Sequence, residues 1–203
     1  MQATFTERMI RMVKIAVCDD DSMFISKTFK YAVSIAIKAS GLDPDVRFFT
    51  DGTLLLNEFQ NGVFYDIVIL DIDMPKINGK ELASKLREFD MSFFLAFITS
   101  YSDELVNTVP YRINAFIPKN GEVNRYIAEL TRIFTEYKRI KPDREIIEIN
   151  KNGELNYITI PLNMIYWFKF SDKTIIMNSA LEGYILSERT FSKISEKYIS
   201  KGF

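Results

Sequence analysis

From residue 13 onward the chain alternates short apolar runs with segments whose apolar residues recur three and four apart. That alternation predicts buried strands separated by amphipathic helices. Val13-Lys14-Ile15-Ala16-Val17-Cys18 is the first run, and it ends abruptly in Asp19-Asp20-Asp21. Ser22 is placed to cap a helix whose Phe24, Phe29, Val33, Ile35 and Ile37 form a broad apolar stripe, with Gly41 as its stop. A second strand is expected over 46–49. A helix capped by Thr50 or Asp51 then runs to about Phe59, where Asn61-Gly62 closes it. Asp66-Ile67-Val68-Ile69-Leu70 is a third strand, and a loop from Asp71 to Gly79 leads into a helix through about Phe89. Residues 93–99 and 115–118 are the fourth and fifth strands. A short helix is expected between them, around 103–108, and a last helix over 121–138.

Five such units in a row predict an α/β fold with a five-stranded, doubly wound parallel sheet. Strands that are apolar almost throughout fit a sheet covered on both faces. In such sheets ligands bind beyond the carboxyl ends of the strands. That rule singles out Asp19, Asp20 and Asp21, then Asp71 with Asp73, then Thr99 with Ser100, and finally Lys119, because each ends a strand.

After residue 138 the texture changes. Residues 139–143 form a charged linker containing Pro142, and 144–203 alternate apolar and polar positions with a tight turn at Asn152-Gly153. These features predict a small, mainly antiparallel β domain ending in a helix over about 188–199. The aromatic runs Phe93-Phe94 and Tyr166-Trp167-Phe168 are expected in cores. Residues 1–12 read as an N-terminal extension.

Composition narrows the chemistry. The 203 residues include no histidine and one cysteine, Cys18, so a disulfide framework and any zinc site of several Cys or His are excluded. Imidazole acid–base catalysis and Ser-His-Asp or Cys-His pairs are excluded for the same reason. With 26 basic and 27 acidic residues, the net charge of -1 argues against a general nucleic-acid coat or a polybasic anchor. The apolar stretches are too short to span a membrane, and no secretory h-region opens the chain, so a cytoplasmic protein is expected. Carboxylates, hydroxyls and lysines are the reagents left. Several carboxylates at one sheet edge repel one another unless a hard cation, Mg²⁺ above all, sits among them. A carboxylate is also a nucleophile able to form an aspartyl phosphate. A lysine and a hydroxyl nearby suit the phosphoryl oxygens.

Val17-Cys18-Asp19-Asp20-Asp21-Ser22, Ile69-Leu70-Asp71-Ile72-Asp73-Met74-Pro75 with Asn78-Gly79, Phe97-Ile98-Thr99-Ser100 and Ile117-Pro118-Lys119 together resemble the receiver domain of bacterial two-component response regulators. The resemblance covers residues 13–138 and implies a flavodoxin-like fold with Asp71 as phosphoacceptor. It further implies Mg²⁺ held by Asp19, Asp20, Asp71 and the backbone carbonyl of Asp73. Lys119 would pair with the phosphoryl group, Thr99 would hydrogen-bond it, and Phe116 would be the aromatic that follows Thr99. The implied donor is a phosphohistidine on a sensor histidine kinase, and phosphorylation is expected to promote a homodimer. The chain is then a switch rather than an enzyme. Two departures stand out: proline precedes Lys119 where the family has it following, and Asp73 places a carboxylate two residues past the acceptor.

The second domain, 144–203, resembles the first half of the LytTR-type DNA-binding domain. The likeness rests on Pro161-Leu162-Asn163-Met164-Ile165-Tyr166-Trp167-Phe168 and on Phe191-Ser192-Lys193-Ile194. The family's closing strands do not follow, so the domain is expected to be incomplete. Lys169 and Lys173, placed in the loop before its fourth strand, are the candidate phosphate contacts, and DNA is the implied partner of the complete domain. Two other readings stay open: a haloacid-dehalogenase-like phosphatase, echoed by Asp71-Ile72-Asp73, and a pseudo-receiver that only dimerises.

Overall fold

A computed structural model describes residues 12–100, 113–119, 121–140, 144–179, 183–188 and 190–199. The expected extension up to residue 11, the helix around 103–108 and linker residues 141–143 lie outside the described residues. The first half comprises β1 (Val13–Cys18), α1 (Ser22–Phe24), α2 (Lys30–Ser40), β2 (Pro44–Phe49), α3 (Gly52–Gln60), β3 (Ile67–Asp71), α4 (Gly79–Arg87), β4 (Phe94–Thr99), β5 (Ala115–Pro118) and α5 (Val123–Ile140). A π-helical turn, Ile25–Phe29, joins α1 to α2, so residues 22–40 are continuously helical. The strands lie in the order β2-β1-β3-β4-β5, all parallel. This is the predicted doubly wound sheet.

Strand alternation sorts the apolar side chains onto two faces. Ile15, Val17, Ile67, Ile69, Ala96 and Ile98 face α2 and α5, meeting Phe29, Val33, Leu130, Ile133 and Phe134. Ala16, Cys18, Val68, Leu70, Leu95 and Phe97 face α3 and α4, meeting Leu55, Phe59, Leu82 and Leu86. Each large side chain buried this way contributes roughly 1.5–3 kcal/mol. At the amino end of β3, buried Asp66 accepts from Lys14 N at 2.7 Å and from the Tyr137 hydroxyl at 2.8 Å, stapling β1 and α5 to the central strand.

Several boundaries differ from the sequence expectation. Asp21, not Ser22, caps the first helix: its Oδ1 accepts from Met23 N and Phe24 N at 3.0 and 2.9 Å. Of Thr50 and Asp51, it is Asp51 that caps α3, through Thr53 N at 2.9 Å. Helix α5 runs to Ile140, two residues into the stretch expected as linker.

The second half contains β6 (Arg144–Lys151), β7 (Glu154–Pro161), β8 (Ile165–Ser171), β9 (Thr174–Ser179), β10 (Gly183–Ile185) and α6 (Phe191–Ile199). Antiparallel β6-β7 and β10-β9-β8 enclose Ile147, Ile149, Ile158, Ile160, Ile175 and Met177, with Ile194 and Tyr198 of α6 closing the core. Asn152-Gly153 turns the first hairpin with both residues at positive φ, as predicted, and Asp172-Lys173 turns the second. Helix α6 starts at Phe191, three residues later than expected, and ahead of it the Glu188 carboxylate accepts from Thr190 N at 2.7 Å.

Phe93 and Phe94 are buried as expected, but Tyr166 and Trp167 are exposed. A register shift between Ile165 and Trp167 marks a bulge, which breaks the alternation and turns consecutive residues outward. Lys169 lies within β8 rather than in a loop; only Lys173 occupies the turn. Among the described residues, no helix is long and apolar enough to cross a membrane.

One backbone contact fixes the loop after β3. Gly79 N donates to Ile72 O at 2.9 Å, and a Cβ on Gly79 would sit 2.0 Å from the Asp71 carbonyl oxygen. Gly79→Ala is therefore expected to lower the unfolding free energy by about 3 kcal/mol. Urea unfolding of the two proteins measures this, and a loss under about 1 kcal/mol would contradict so close an approach.

Candidate functional site

The parallel register delivers the site. Cys18 pairs with Leu70, so Asp19 and Asp71 emerge beside each other at the carboxyl ends of β1 and β3. Thr99 pairs with Pro118, so Lys119 emerges beside Thr99, its N–H donating to the Thr99 carbonyl at 2.7 Å. From there the Lys119 ammonium reaches across the sheet edge. Its Nζ lies 2.7 Å from Asp71 Oδ2 and 2.9–3.0 Å from the two Asp19 oxygens.

Both carboxylates are buried: the residues Asp19 and Asp71 are only 1% and 3% exposed. Burial pushes the Asp19 carboxyl up from its ordinary value, while Lys119 and the Asp21 N–H pull against it and Asp71 adds to the rise. For Lys119, burial works against the charge, but its bonds to Asp71 and Asp19 outweigh this and hold the ammonium above its usual range. The lysine is thus charged and shared between two carboxylates.

Neighbouring groups hold the lysine in place. The Tyr126 hydroxyl donates to the Lys119 carbonyl and accepts from Gly121 N at 3.3 Å, and Phe24 places its ring 5.1 Å beneath Nζ. Phe24 and Phe29 in turn pack edge-on against Tyr126.

Carboxylate oxygens of Asp19, Asp20 and Asp71 lie within 4.8 Å of one another, with Asp20 exposed. Asp19 Oδ2 is buried and has no hydrogen-bond donor, although the ammonium lies 2.9 Å away. Three hard oxygen ligands, together exceeding the single lysine charge by two, fit a divalent cation such as Mg²⁺. Thr99 is buried, and its Oγ1 lies 3.5 Å from Asp73 Oδ2. The Asp73 carboxylate is exposed yet leans on the Thr99 hydroxyl, and its N–H donates weakly to Asp71 Oδ1 at 3.4 Å. Phe116 is half-buried on β5 beside Phe97. Lys169 and Lys173 lie apart from this cluster, both exposed, on the second half of the chain.

The model of the response regulator receiver domain matches residues 15–131. The chain belongs to this family. Among curated proteins, the response regulator ArlR of Staphylococcus aureus is 32% identical over 89 residues, 43% of this chain and 38% of that relative. The match thus spans well under half of the relative's length. Among solved structures, the CheY-like receiver domain protein of Methanospirillum hungatei superposes with a TM-score of 0.50 at 18% identity, covering 63% of this chain and 98% of that one. The response regulatory domain of mrkE from Klebsiella pneumoniae gives 0.50 at 22%, covering 63% and 99%. DrrB of Thermotoga maritima, described as an OmpR/PhoB homologue, gives 0.50 at 18% over 82% of this chain and 60% of that one. These likenesses show the fold. The haloacid-dehalogenase echo finds no support, because the receiver match covers the Asp71-Ile72-Asp73 segment and Asp71 ends the third strand of a receiver-type sheet.

The receiver site includes contacts the sequence did not announce. Lys119 bonds Asp19 as well as Asp71. Lys76, in the loop after Asp71, has φ +68 and pairs with Asp51 at 2.6 Å, tying that loop to the cap of α3. This bond and the Thr53 donors hold the Asp51 carboxyl down at about 2. Cys18 is buried with its Sγ 3.6 Å from Met74 Sδ, and burial, helped by the surrounding carboxylates, pushes its thiol up to about 12, so it is an inert core residue. No cis peptide occurs among the described residues, and Lys119 reaches the site with proline before it.

Lys119→Met would leave two buried carboxylates facing each other. In the absence of divalent cations it is expected to destabilise the protein by about 3 kcal/mol, with the loss partly recovered on adding Mg²⁺. Urea unfolding in chelator and in Mg²⁺ tests both halves; an unchanged midpoint in chelator would show that the ammonium is not what holds the pair.

Proposed function

We propose that this receiver is a phosphorylation switch: Asp71 accepts a phosphoryl group from a phosphohistidine on a sensor histidine kinase, and the change of state drives an output through the second domain. The observation that carries the reading is the Lys119 ammonium held between buried Asp71 and Asp19 beside Asp20. Such an array suits an incoming phosphoryl group in three ways. Asp71 is a carboxylate nucleophile at a strand end. Lys119 is a cation already within bonding distance of the oxygen that would carry the phosphorus. Asp19, Asp20 and Asp71, with the backbone carbonyl of Asp73, are the oxygens that would hold Mg²⁺. The bound ion supplies charge neutralisation at the phosphoryl oxygens.

In the transfer an Asp71 oxygen attacks phosphorus, the P–N bond to the kinase imidazole breaks, and its electron pair returns to nitrogen. Lys119 exchanges its Asp71 oxygen for a phosphoryl oxygen. Thr99 Oγ1 leaves Asp73 and donates to the phosphoryl group, and Phe116 turns inward behind it, reshaping the face that would then form a homodimer. Hydrolysis of the acyl phosphate resets Asp71, so no substrate is turned over. The output we favour is control of transcription, with DNA bound by a complete LytTR-type domain and Lys169 and Lys173 contributing phosphate contacts. Both lysines are exposed, on β8 and in its turn. The site of action on this reading is the cytoplasm.

Incubation with acetyl phosphate and Mg²⁺ is expected to add one phosphoryl group to the parent protein and none to Asp71→Ala, read by intact-mass spectrometry. Labelling of the alanine variant would remove the assignment.

Asp73 is expected to shorten the life of the phosphorylated state, because its carboxylate competes for Thr99 Oγ1 and faces a dianionic group. Asp73→Asn should therefore dephosphorylate several-fold more slowly, and equal decay rates for variant and parent would end this idea.

A further inference from the structure

We infer that α4 couples the acceptor to the second domain, bearing on Asp71 at one end and holding strand β7 at the other; the inference rests on the reading of Asp71 as phosphoacceptor. At its amino end α4 has no slack. Gly79 N bonds Ile72 O, a Cβ on Gly79 would overlap the Asp71 carbonyl, and Asn78 Oδ1 caps the helix through Glu81 N at 2.9 Å. Leu82, Ala83 and Leu86 are fully buried against the sheet. Nine residues of helix make a stiff element about 13 Å long. A shift of the Asp71 backbone is therefore passed along the helix rather than absorbed at Gly79.

At the carboxyl end the chain leaves α4 through Glu88, Phe89 and Asp90. The Phe89 carbonyl accepts from Thr159 N at 2.7 Å, and Asp90 forms a parallel bridge with Thr159 of β7. Asp90 is fully buried. Its N–H donates to Leu86 O at 3.0 Å, and its Oδ1 takes two bonds from Ser92, at 2.6 and 2.5 Å, so this turn is rigid. Alongside, Tyr157 lays its ring over Gly62 and packs on the same core as Phe89.

The joint is built to open. Thr159 pairs with Ile146 in the β6-β7 ladder while its N–H goes to Phe89, so the bond across the joint can break without unpairing β6. The Thr159 hydroxyl is buried with no hydrogen-bond partner, which weakens the closed form. Beside the joint lies a cleft of about 260 Å³ bordered by Glu88, Phe89, Lys151, Tyr157 and Tyr184, giving the two halves room to move.

Hydrogen exchange of the full chain, read by mass spectrometry with and without acetyl phosphate and Mg²⁺, tests the coupling. The amide of Thr159 is expected to change protection about tenfold on labelling, an ordinary coupling magnitude, and not to change in Asp71→Asn. Coupling is reciprocal, so loosening the joint with Tyr157→Ala and tightening it with Thr159→Val should move the rate of Asp71 dephosphorylation in opposite directions, several-fold each. A merely structural joint would move neither rate. Full labelling with unchanged exchange at 157–160 and unchanged rates in both variants would overturn the inference while leaving the acceptor reading intact. Absence of the added phosphoryl mass would overturn the acceptor reading, and the coupling with it.

Discussion

Two carboxylates buried at adjacent strand ends are unstable neighbours. Each has lost the water that would solvate its charge, and each raises the cost of ionising the other. In this receiver a single ammonium resolves the conflict. Lys119 lies between Asp71 and Asp19 at bonding distance from both, and the fold around it serves to keep it there. The ladder bond to Thr99 sets where the lysine leaves β5, Tyr126 fixes its carbonyl, and the Phe24 ring floors its head group. One positive charge does not balance three carboxylates. The remaining imbalance is the physical ground for a divalent cation at this place.

Topology is what makes the arrangement possible. In a parallel sheet every strand points its carboxyl end the same way, so residues 52 positions apart in the chain, Asp19 and Asp71, become neighbours with no special loop geometry. The strand order reverses at β1, leaving a crevice above β1 and β3 where the two acids meet. The close packing of Gly79 on the Asp71 peptide then holds the loop after β3 against the sheet.

Much of this was legible in the sequence because the strands bury both faces. Runs such as Ile67-Val68-Ile69-Leu70 carry no competing helical period, and the polar residues that end them stand out against apolar neighbours. Asp19, Asp20, Asp71, Thr99 and Lys119 were all visible this way, and the structure brings them to one sheet edge. What escaped was decided by geometry finer than periodicity. Asp21 displaced Ser22 as cap because a carboxylate one position earlier already reaches two free N–H groups. Tyr166 and Trp167 turned outward because of a bulge, which leaves no mark in an aromatic run. The Lys76–Asp51 pair joins loops 25 residues apart, and Lys76 makes it from a left-handed backbone position that periodicity does not mark.

The second half carries the harder question, since its resemblance to a DNA-binding module rests on few residues while its contact with the receiver is specific. That contact is made at the amino ends of the strands, the rim opposite the acidic crevice, so Asp71 cannot touch it directly. Thr99 and Phe116 lie on the β4-β5 side of the receiver, whereas the joint lies where α4 meets β4. A signal from Asp71 to β7 therefore needs an element that spans the domain from one rim to the other. Helix α4 does so, beginning against the Asp71 peptide and ending one residue short of the carbonyl-side turn that holds Thr159. Two proposed routes thus diverge from one carboxylate. On the proposed phosphorylation of Asp71, the hydroxyl and aromatic route would act on a surface open to another molecule and the helical route on the chain's own second domain, so that one event would change association and internal docking together.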